Sequence, residues 1–170
     1  MGSSTVSYSS NTTITMDLDG LASSASWIAG RESTEIDNAT TNKYLDALVQ
    51  GKVKVGTTPT ANTTIAVYVW GADTSLATTA IDVLDGTDSA ETLTNTGVLN
   101  SALRLGAVIS VLVATSDIVY NIAPFSVASL FGGVMPKFWG LFVSHNCGAA
   151  LHATDNTNFF SYVGIKYDYA

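Results

Sequence analysis

Charged residues are scarce in this sequence. Asp, Glu, Lys and Arg make up 12% of its 170 residues, about half of their share in an ordinary soluble domain. The mean hydropathy is +0.28, yet the longest apolar stretch, Gly106–Ala114, is far shorter than the roughly 20 residues of a membrane helix, and Ser110 interrupts it. We therefore predict a protein with no membrane partner, whose uncharged surface is covered by further copies in a homo-oligomer, a dimer or a trimer.

Cysteine and positive charge are also in short supply. Cys147 is the single cysteine, which excludes an intrachain disulfide framework and is compatible with assembly in a cytoplasm. Lys and Arg number 7 against 14 Asp and Glu, so the net charge is -7, and the lack of a basic cluster argues against nucleic acid as a partner. The first ten residues carry neither the basic nor the apolar region of a signal peptide, so export by that route is not predicted.

What the sequence does contain is a two-residue alternation of apolar and polar side chains, which is typical of strands. Between residues 44 and 55, one face carries the apolar side chains Leu45, Ala47, Val49, Val53 and Val55. Turn-forming residues follow in Gly56–Asn62, and the alternation resumes in Thr64–Trp70. We predict that these two strands form an antiparallel pair.

Further strands are predicted where β-branched and aromatic residues dominate. They are Thr12–Met16, Ser26–Gly30, Val108–Ala114, Ile118–Ala123, Phe138–His145 and Tyr162–Tyr169. Short strands of this kind, separated by turn signals, indicate an all-β fold. We predict an antiparallel β-sandwich, jelly-roll-like, that spans residues 12–170 as a single domain.

Two segments fall outside this pattern. Residues 1–11 are rich in Ser and hold few apolar side chains, so they are predicted to form an extended N-terminal arm without a core of its own. Residues 71–100 are dense in Asp, Asn, Gly and Thr, which favours a long surface excursion rich in loops. Leu99–Leu105 is predicted to add a short helical turn.

Nucleophilic and metal-binding residue types cluster at one place, Ser144–Cys147 with His152. A cysteine nucleophile needs a histidine that the fold positions beside it, and a zinc site needs three or four ligands, so neither is indicated by this spacing. The acidic segments Asp17–Gly20 and Asp82–Glu91 do not match the spacing of an EF-hand loop and are interpreted as solvated turns. No enzyme activity, catalytic residue, metal or cofactor is predicted.

Aromatic and charged side chains remain as candidates for contact with a partner. Eight aromatic residues are interpreted as core or interface anchors, with sugar-stacking platforms as the alternative. They are Trp27, Trp70, Trp139, Tyr44, Tyr68, Tyr162, Tyr167 and Tyr169. The candidate partner-binding residues are Val6 and Tyr8 in the arm, Arg31 and Glu32 in a charged loop, and Asp82 and Asp85 in the excursion.

Three segments of the sequence carry a family resemblance. They are Tyr44–Thr74 (YLDALVQGKVKVGTTPTANTTIAVYVWGADT), Asp85–Glu91 and Pro124–Pro136. In these segments the chain is similar to a group of small virion proteins of tailed bacteriophages and prophages, the capsid decoration or cement proteins. The resemblance implies a β-rich, often jelly-roll domain that sits on the outer capsid surface as a dimer or trimer and clamps neighbouring major capsid subunits.

Sequence pattern and resemblance together predict a non-enzymatic virion structural protein, assembled in the host cytoplasm, with the major capsid protein and its own copies as partners. Two alternatives remain open. One is a carbohydrate-binding head or tail adhesin, which an exposed aromatic platform in a groove would favour. The other is a different tail component.

Overall fold

Two antiparallel β-sheets pack face to face in the computed structural model, which describes residues 4–154 and 158–169. The strands are β1 (Ser4–Tyr8), β2 (Thr12–Ile14), β3 (Ala29–Glu32), β4 (Ile36–Asp37), β5 (Asp46–Lys54), β6 (Thr63–Ala72), β7 (Ser89–Thr92), β8 (Leu103–Val111), β9 (Val119–Ser126), β10 (Phe138–His145) and β11 (Phe159–Tyr169). Two short helices, α1 (Thr96–Ala102) and α2 (Val127–Leu130), and a π-helical turn at Asn38–Asn42 lie between strands. The arrangement confirms the predicted all-β sandwich.

Every strand pairing in the two sheets is antiparallel. The first sheet has the order β1-β11-β5-β9, with β2 on the same side of β11 as β1 but farther along the strand. The second sheet has the order β7-β3-β10-β6-β8, with β4 also paired to β10. No helix of the described residues is long and apolar enough to cross a bilayer.

The main core lies between the sheets. Strand side chains alternate between the two faces of a sheet, and the inward faces bury β-branched and aromatic residues. They include Val49 and Val53 from β5, Ile65 and Val67 from β6, Trp139 and Leu141 from β10, and Phe160 and Tyr162 from β11. A second apolar cluster covers the outer face of the second sheet and is built on Trp70 and Phe142.

The predicted pairing of the strands around residues 44–55 and 64–70 is wrong. β5 belongs to the first sheet and β6 to the second, so the two strands face each other across the core. The connection between them does not close a hairpin, because its backbone bonds elsewhere: Gly56 N–H donates to Ala150 O (3.2 Å) and Thr60 N–H to Cys147 O (2.7 Å). Alternation and a turn signal predict two strands correctly but do not determine which strands pair.

Residues 71–100 form more than the surface excursion that was predicted. Leu76, Leu84, Leu93 and Leu99 are each at most 5% exposed and complete the second apolar cluster. The segment also contains β7, which extends the second sheet by pairing with β3. Its leucines occur at irregular spacing among turn formers, so no periodic signal marks them as buried.

The segment predicted as an arm is extended, and its described part pairs within the chain. β1 lies antiparallel to the end of β11, with Val6 opposite Tyr167 and Tyr8 opposite Ile165. The helical turn predicted at Leu99–Leu105 lies three residues earlier, as α1, and its last three residues belong to β8 instead. α1 begins at Thr96 because the Asn95 side chain accepts a hydrogen bond from Val98 N–H (3.2 Å). β8 therefore starts at Leu103, five residues before the predicted strand.

Candidate interaction surface

Glu32 is a buried carboxylate that fastens residues 71–100 to the second sheet. Its side chain is 0% exposed and accepts hydrogen bonds from Asp85 N–H (3.1 Å) and Gly86 N–H (3.0 Å). Burial raises the pKa of this carboxyl to about 7, while the two N–H donors lower it and the charges of Asp85 and Glu91 raise it. A side chain that is fully enclosed does not reach a partner, so the role of Glu32 is internal.

Glu35 supports the same turn from a neighbouring position. Its carboxylate accepts a hydrogen bond from Leu76 N–H (2.7 Å), and its own N–H donates to Gly86 O (2.9 Å). Gly86 has a φ of +82°, a conformation that side chains with a Cβ rarely adopt. Two glutamates and one glycine thus hold the turn against β3 and the residues that follow it.

The remaining charged candidates are also bonded within the chain. Arg31 Nε lies 2.6 Å from Asp88 Oδ1, and both side chains are about one-fifth exposed. Asp82 accepts hydrogen bonds from the N–H (2.7 Å) and hydroxyl (2.6 Å) of Thr94, which lower its pKa. Asp85 is exposed and accepts a hydrogen bond from Thr87 N–H (2.9 Å). The fold brings these residues together with Glu32 at one edge of the second sheet, where their contacts order residues 71–100.

Val6 and Tyr8 lie elsewhere, on the first sheet. They are 55% and 64% exposed, and Tyr167, directly opposite Val6, is 54% exposed. Residues that face each other in an antiparallel pair share a sheet face, so the three side chains form one patch on the outer face of the β1 edge. The six predicted contact residues therefore lie in two separate places. Val6 and Tyr8 are on the first sheet, and the four charged residues are in or next to the β3 edge of the second sheet.

The largest group of exposed apolar side chains was not predicted. It comprises Leu105, Val108, Leu112 and Val113, which are 46–66% exposed, and we call it the β8 surface. These are four of the twelve large apolar residues that are exposed among residues 4–154 and 158–169. Residues 105–116 carry no charge, a property that they share with residues 55–72 and 118–136.

Strand register shows which way the β8 surface points. Leu105 lies opposite Tyr68, Val108 opposite Ala66 and Ser110 opposite Thr64, and these β6 residues alternate with the inward-facing Val67 and Ile65. Leu105 and Val108 therefore belong to the outer face of the second sheet. In β8 the residues on both faces of the strand are mostly apolar. The two-residue alternation therefore does not predict that one face is exposed to solvent.

The cysteine and histidine cluster forms a structural contact. Burial raises the pKa of the Cys147 thiol and lowers the pKa of His145, which disfavours both the thiolate and the imidazolium. In the neutral ring, Nε2–H donates to Leu21 O (2.9 Å), and Nδ1 accepts the Cys147 N–H (3.4 Å). The His152 ring instead lies 3.1 Å from Asp117 Oδ1.

Acidic side chains line an open cavity of about 440 Å³. Asp88 accepts the Asp17 N–H (3.1 Å), and Asp19 Oδ1 accepts an N–H from the Asn158 amide (2.9 Å). Within the described ranges, no three His, Cys, Asp or Glu side chains converge as a metal site requires. The carboxylates here act as local hydrogen-bond acceptors.

The chain matches no family model, no curated protein and no solved structure.

Proposed function

We propose that this chain is a non-enzymatic virion structural protein that binds the outer surface of a bacteriophage capsid. In this role it acts as a decoration, or cement, protein, and its partners are the major capsid protein and further copies of itself. Attachment stabilises the lattice by mass action, because a ligand that binds only the assembled state shifts the equilibrium toward that state. The resemblance of three sequence segments to such proteins supports the proposal.

The strand order is the structural observation that carries the proposal furthest. Without β1, β4 and β7, the sandwich consists of sheets ordered β2-β11-β5-β9 and β3-β10-β6-β8. We infer that these eight strands, in two four-stranded antiparallel sheets with the last strand returning beside the first, form a jelly roll. Viral capsid proteins and lectins both use this architecture, so the order supports a virion role and leaves sugar binding as the competing function.

The exposed side chains favour attachment to protein over attachment to sugar. An uncharged, aliphatic β8 surface suits contact with another protein subunit, whereas sugar recognition uses exposed aromatic rings. Trp70 and Trp139 are 0% exposed. Among the described residues, the exposed rings of Tyr8 and Tyr167 on the outer face of the β1 edge, and that of Phe159, favour an adhesin.

Co-sedimentation with empty capsids of the cognate major capsid protein tests the proposal. We expect saturable pelleting of the chain and a higher melting temperature of the decorated capsids. Binding to isolated tails alone would favour the tail component. Binding to a glycan array that is lost in Tyr8→Ala would favour the adhesin, and either result would contradict the cement role.

Deletion of residues 1–8 is expected to preserve the sandwich and to weaken capsid binding. β1 contributes no buried side chain to the core, whereas its Val6 and Tyr8 present apolar surface at the β1 edge, where strands of a neighbour can add. Circular dichroism of the truncated chain should match that of the full chain, while the pelleted fraction falls. Equal pelleting of both proteins would show that the β1 edge takes no part.

A further inference from the structure

We propose that His145 is an acid-sensitive latch, and that a proton taken up by its ring releases the three chain segments that meet around it. These segments are residues 21–24, 56–64 and 145–151, and we call the part of the sandwich that they form the His145 end. The inference goes beyond the proposed function and does not depend on it, because the latch belongs to the single chain.

The His145 end is held by backbone hydrogen bonds that share one segment. Every bond of the set has one partner in residues 145–151, and the other partner lies in residues 21–24 or 56–64. The bonds run from Ser24 N–H to His145 O (2.7 Å), Leu151 N–H to Leu21 O (2.9 Å), Gly56 N–H to Ala150 O (3.2 Å), Thr60 N–H to Cys147 O (2.7 Å) and Asn146 N–H to Thr64 O (3.1 Å). A movement of residues 145–151 therefore frees both neighbouring segments.

The His145 ring is placed where only its neutral form fits. It is 0% exposed and follows Leu141 and Val143 on the inward face of β10. Its Nε2–H donates to Leu21 O at 2.9 Å, and its Nδ1 accepts the Cys147 N–H at 3.4 Å. These two bonds need a ring with one donor and one acceptor. A second proton would occupy Nδ1 and point at the Cys147 N–H, so the bond between them would break.

The surrounding charges do not compensate a positive ring. β6, which pairs with β10 as far as His145, has no charged residue. Burial, the larger influence, lowers the pKa of His145, and the Leu21 carbonyl raises it. Charged side chains on the neighbouring segments are bonded to other groups: Asp17 to the Asp19 N–H, Asp19 to the Asn158 amide, Arg31 to Asp88, and Asp117 to Lys54 and His152.

Acid should therefore favour the open form of the His145 end. When this end is open, the hydrated ring takes up a proton below about pH 6.5, its ordinary pKa, whereas the closed form excludes that proton. The open fraction should rise by up to about tenfold for each pH unit below this value, until the pKa of the closed form is reached. Glu32 changes stability in the opposite direction over this range, so it does not imitate the effect.

Cys147 provides a direct readout of the opening. It is the single cysteine of the chain and is 1% exposed, so a thiol reagent reaches it when the His145 end opens. The probe is dithiodipyridine, an aromatic disulfide that exchanges with thiols in weak acid as well as at neutral pH. Its rate with the protein is divided by its rate with free cysteine at the same pH. This ratio should rise about tenfold between pH 7.5 and pH 5.

Two matched variants assign the effect to one ring. His145→Gln keeps a donor and an acceptor but does not titrate, so its labelling ratio should stay constant over this range. His152→Gln removes the other histidine, whose ring lies beside Asp117, and should show the same rise as the unchanged protein. A constant ratio in the unchanged protein, or an equal rise in His145→Gln, would overturn the inference. Capsids take no part in this measurement, so its outcome and that of the proposed function are separate.

Nuclear magnetic resonance of the unchanged protein gives an answer even where His145→Gln does not fold. As pH falls, amide protection against hydrogen exchange, corrected for the intrinsic rate, should drop at Ser24, Cys147 and Leu151 and persist in the centres of β5 and β11. The His145 ring should stay in the neutral Nε2–H form while those amides are protected. Uptake of a proton by His145 with the three amides still protected, or loss of protection across both sheets at once, would contradict the latch.

Discussion

Replacement of Trp70 by alanine is expected to lower the free energy of unfolding by about 3–5 kcal/mol, the usual range for removing a buried aromatic side chain. The Trp70 ring is 0% exposed and anchors the second apolar cluster. It lies so close to the backbone of β10 that a Cβ on Gly140 would collide with its Cζ2 atom. Alanine would leave a cavity that the surrounding sheet does not fill.

The loss should concentrate in residues 71–100. Leu76, Leu84 and Leu93 pack in the same cluster, so their segment loses its largest apolar contact, whereas the core between the sheets keeps Trp139 and Phe160. Urea unfolding measures the total effect, and amide hydrogen exchange locates it. Faster exchange spread evenly over both sheets would contradict the local account.

Two matched variants separate the cavity from other causes. Trp70→Phe keeps most of the ring and removes the indole Nε1, which has no hydrogen-bond partner among the described residues; it should cost much less than alanine. Val134→Ala, at a position that is 70% exposed, should change stability by less than about 0.5 kcal/mol. A Trp70→Ala effect as small as that of Val134→Ala would refute the prediction.

The sequence predicts the elements of this fold better than their arrangement. β10 has the bounds expected from its β-branched and aromatic residues, because strand propensity and alternation are local properties. Pairing is not local: β5 pairs with β11, more than a hundred residues away, and with β9. A connection rich in turn-forming residues, such as Gly56–Asn62, can either close a hairpin or cross to the opposite sheet. Its composition does not distinguish these two arrangements, so it does not predict which strands pair.

The candidate surfaces show a similar limit. Glu32 belongs to a charged segment that the sequence predicts to be exposed to solvent, yet it is fully buried. Its carboxyl group can be buried because the N–H groups of Asp85 and Gly86, more than fifty residues later, donate hydrogen bonds to it. Around Val108 the sequence is apolar on both faces, so the open face becomes visible only when the neighbours of β8 are known. In both cases the missing information is a contact between residues that are distant in sequence.

Between about pH 4.5 and 7, the Glu32 carboxyl is expected to make folding less favourable as pH rises. Its pKa is raised from 4.5 to about 7, chiefly by burial, so the folded protein holds a proton that the unfolded chain has released. The stabilisation is complete below pH 4.5 and lost as pH rises through 7. A shift of this size corresponds to about 3 kcal/mol.

Glu32→Gln isolates this contribution, since the amide keeps an acceptor for the turn but does not titrate. The stability difference between the unchanged protein and Glu32→Gln should move by about 3 kcal/mol in favour of the variant from pH 4.5 to 8. His145, whose pKa burial lowers, changes stability in the opposite direction over part of this range, but both proteins contain it and its effect cancels. Glu35→Gln retains Glu32 and should follow the unchanged protein. Urea unfolding at fixed protein concentration gives the comparison, and parallel pH profiles for the unchanged protein and Glu32→Gln would show that the buried carboxyl does not hold its proton.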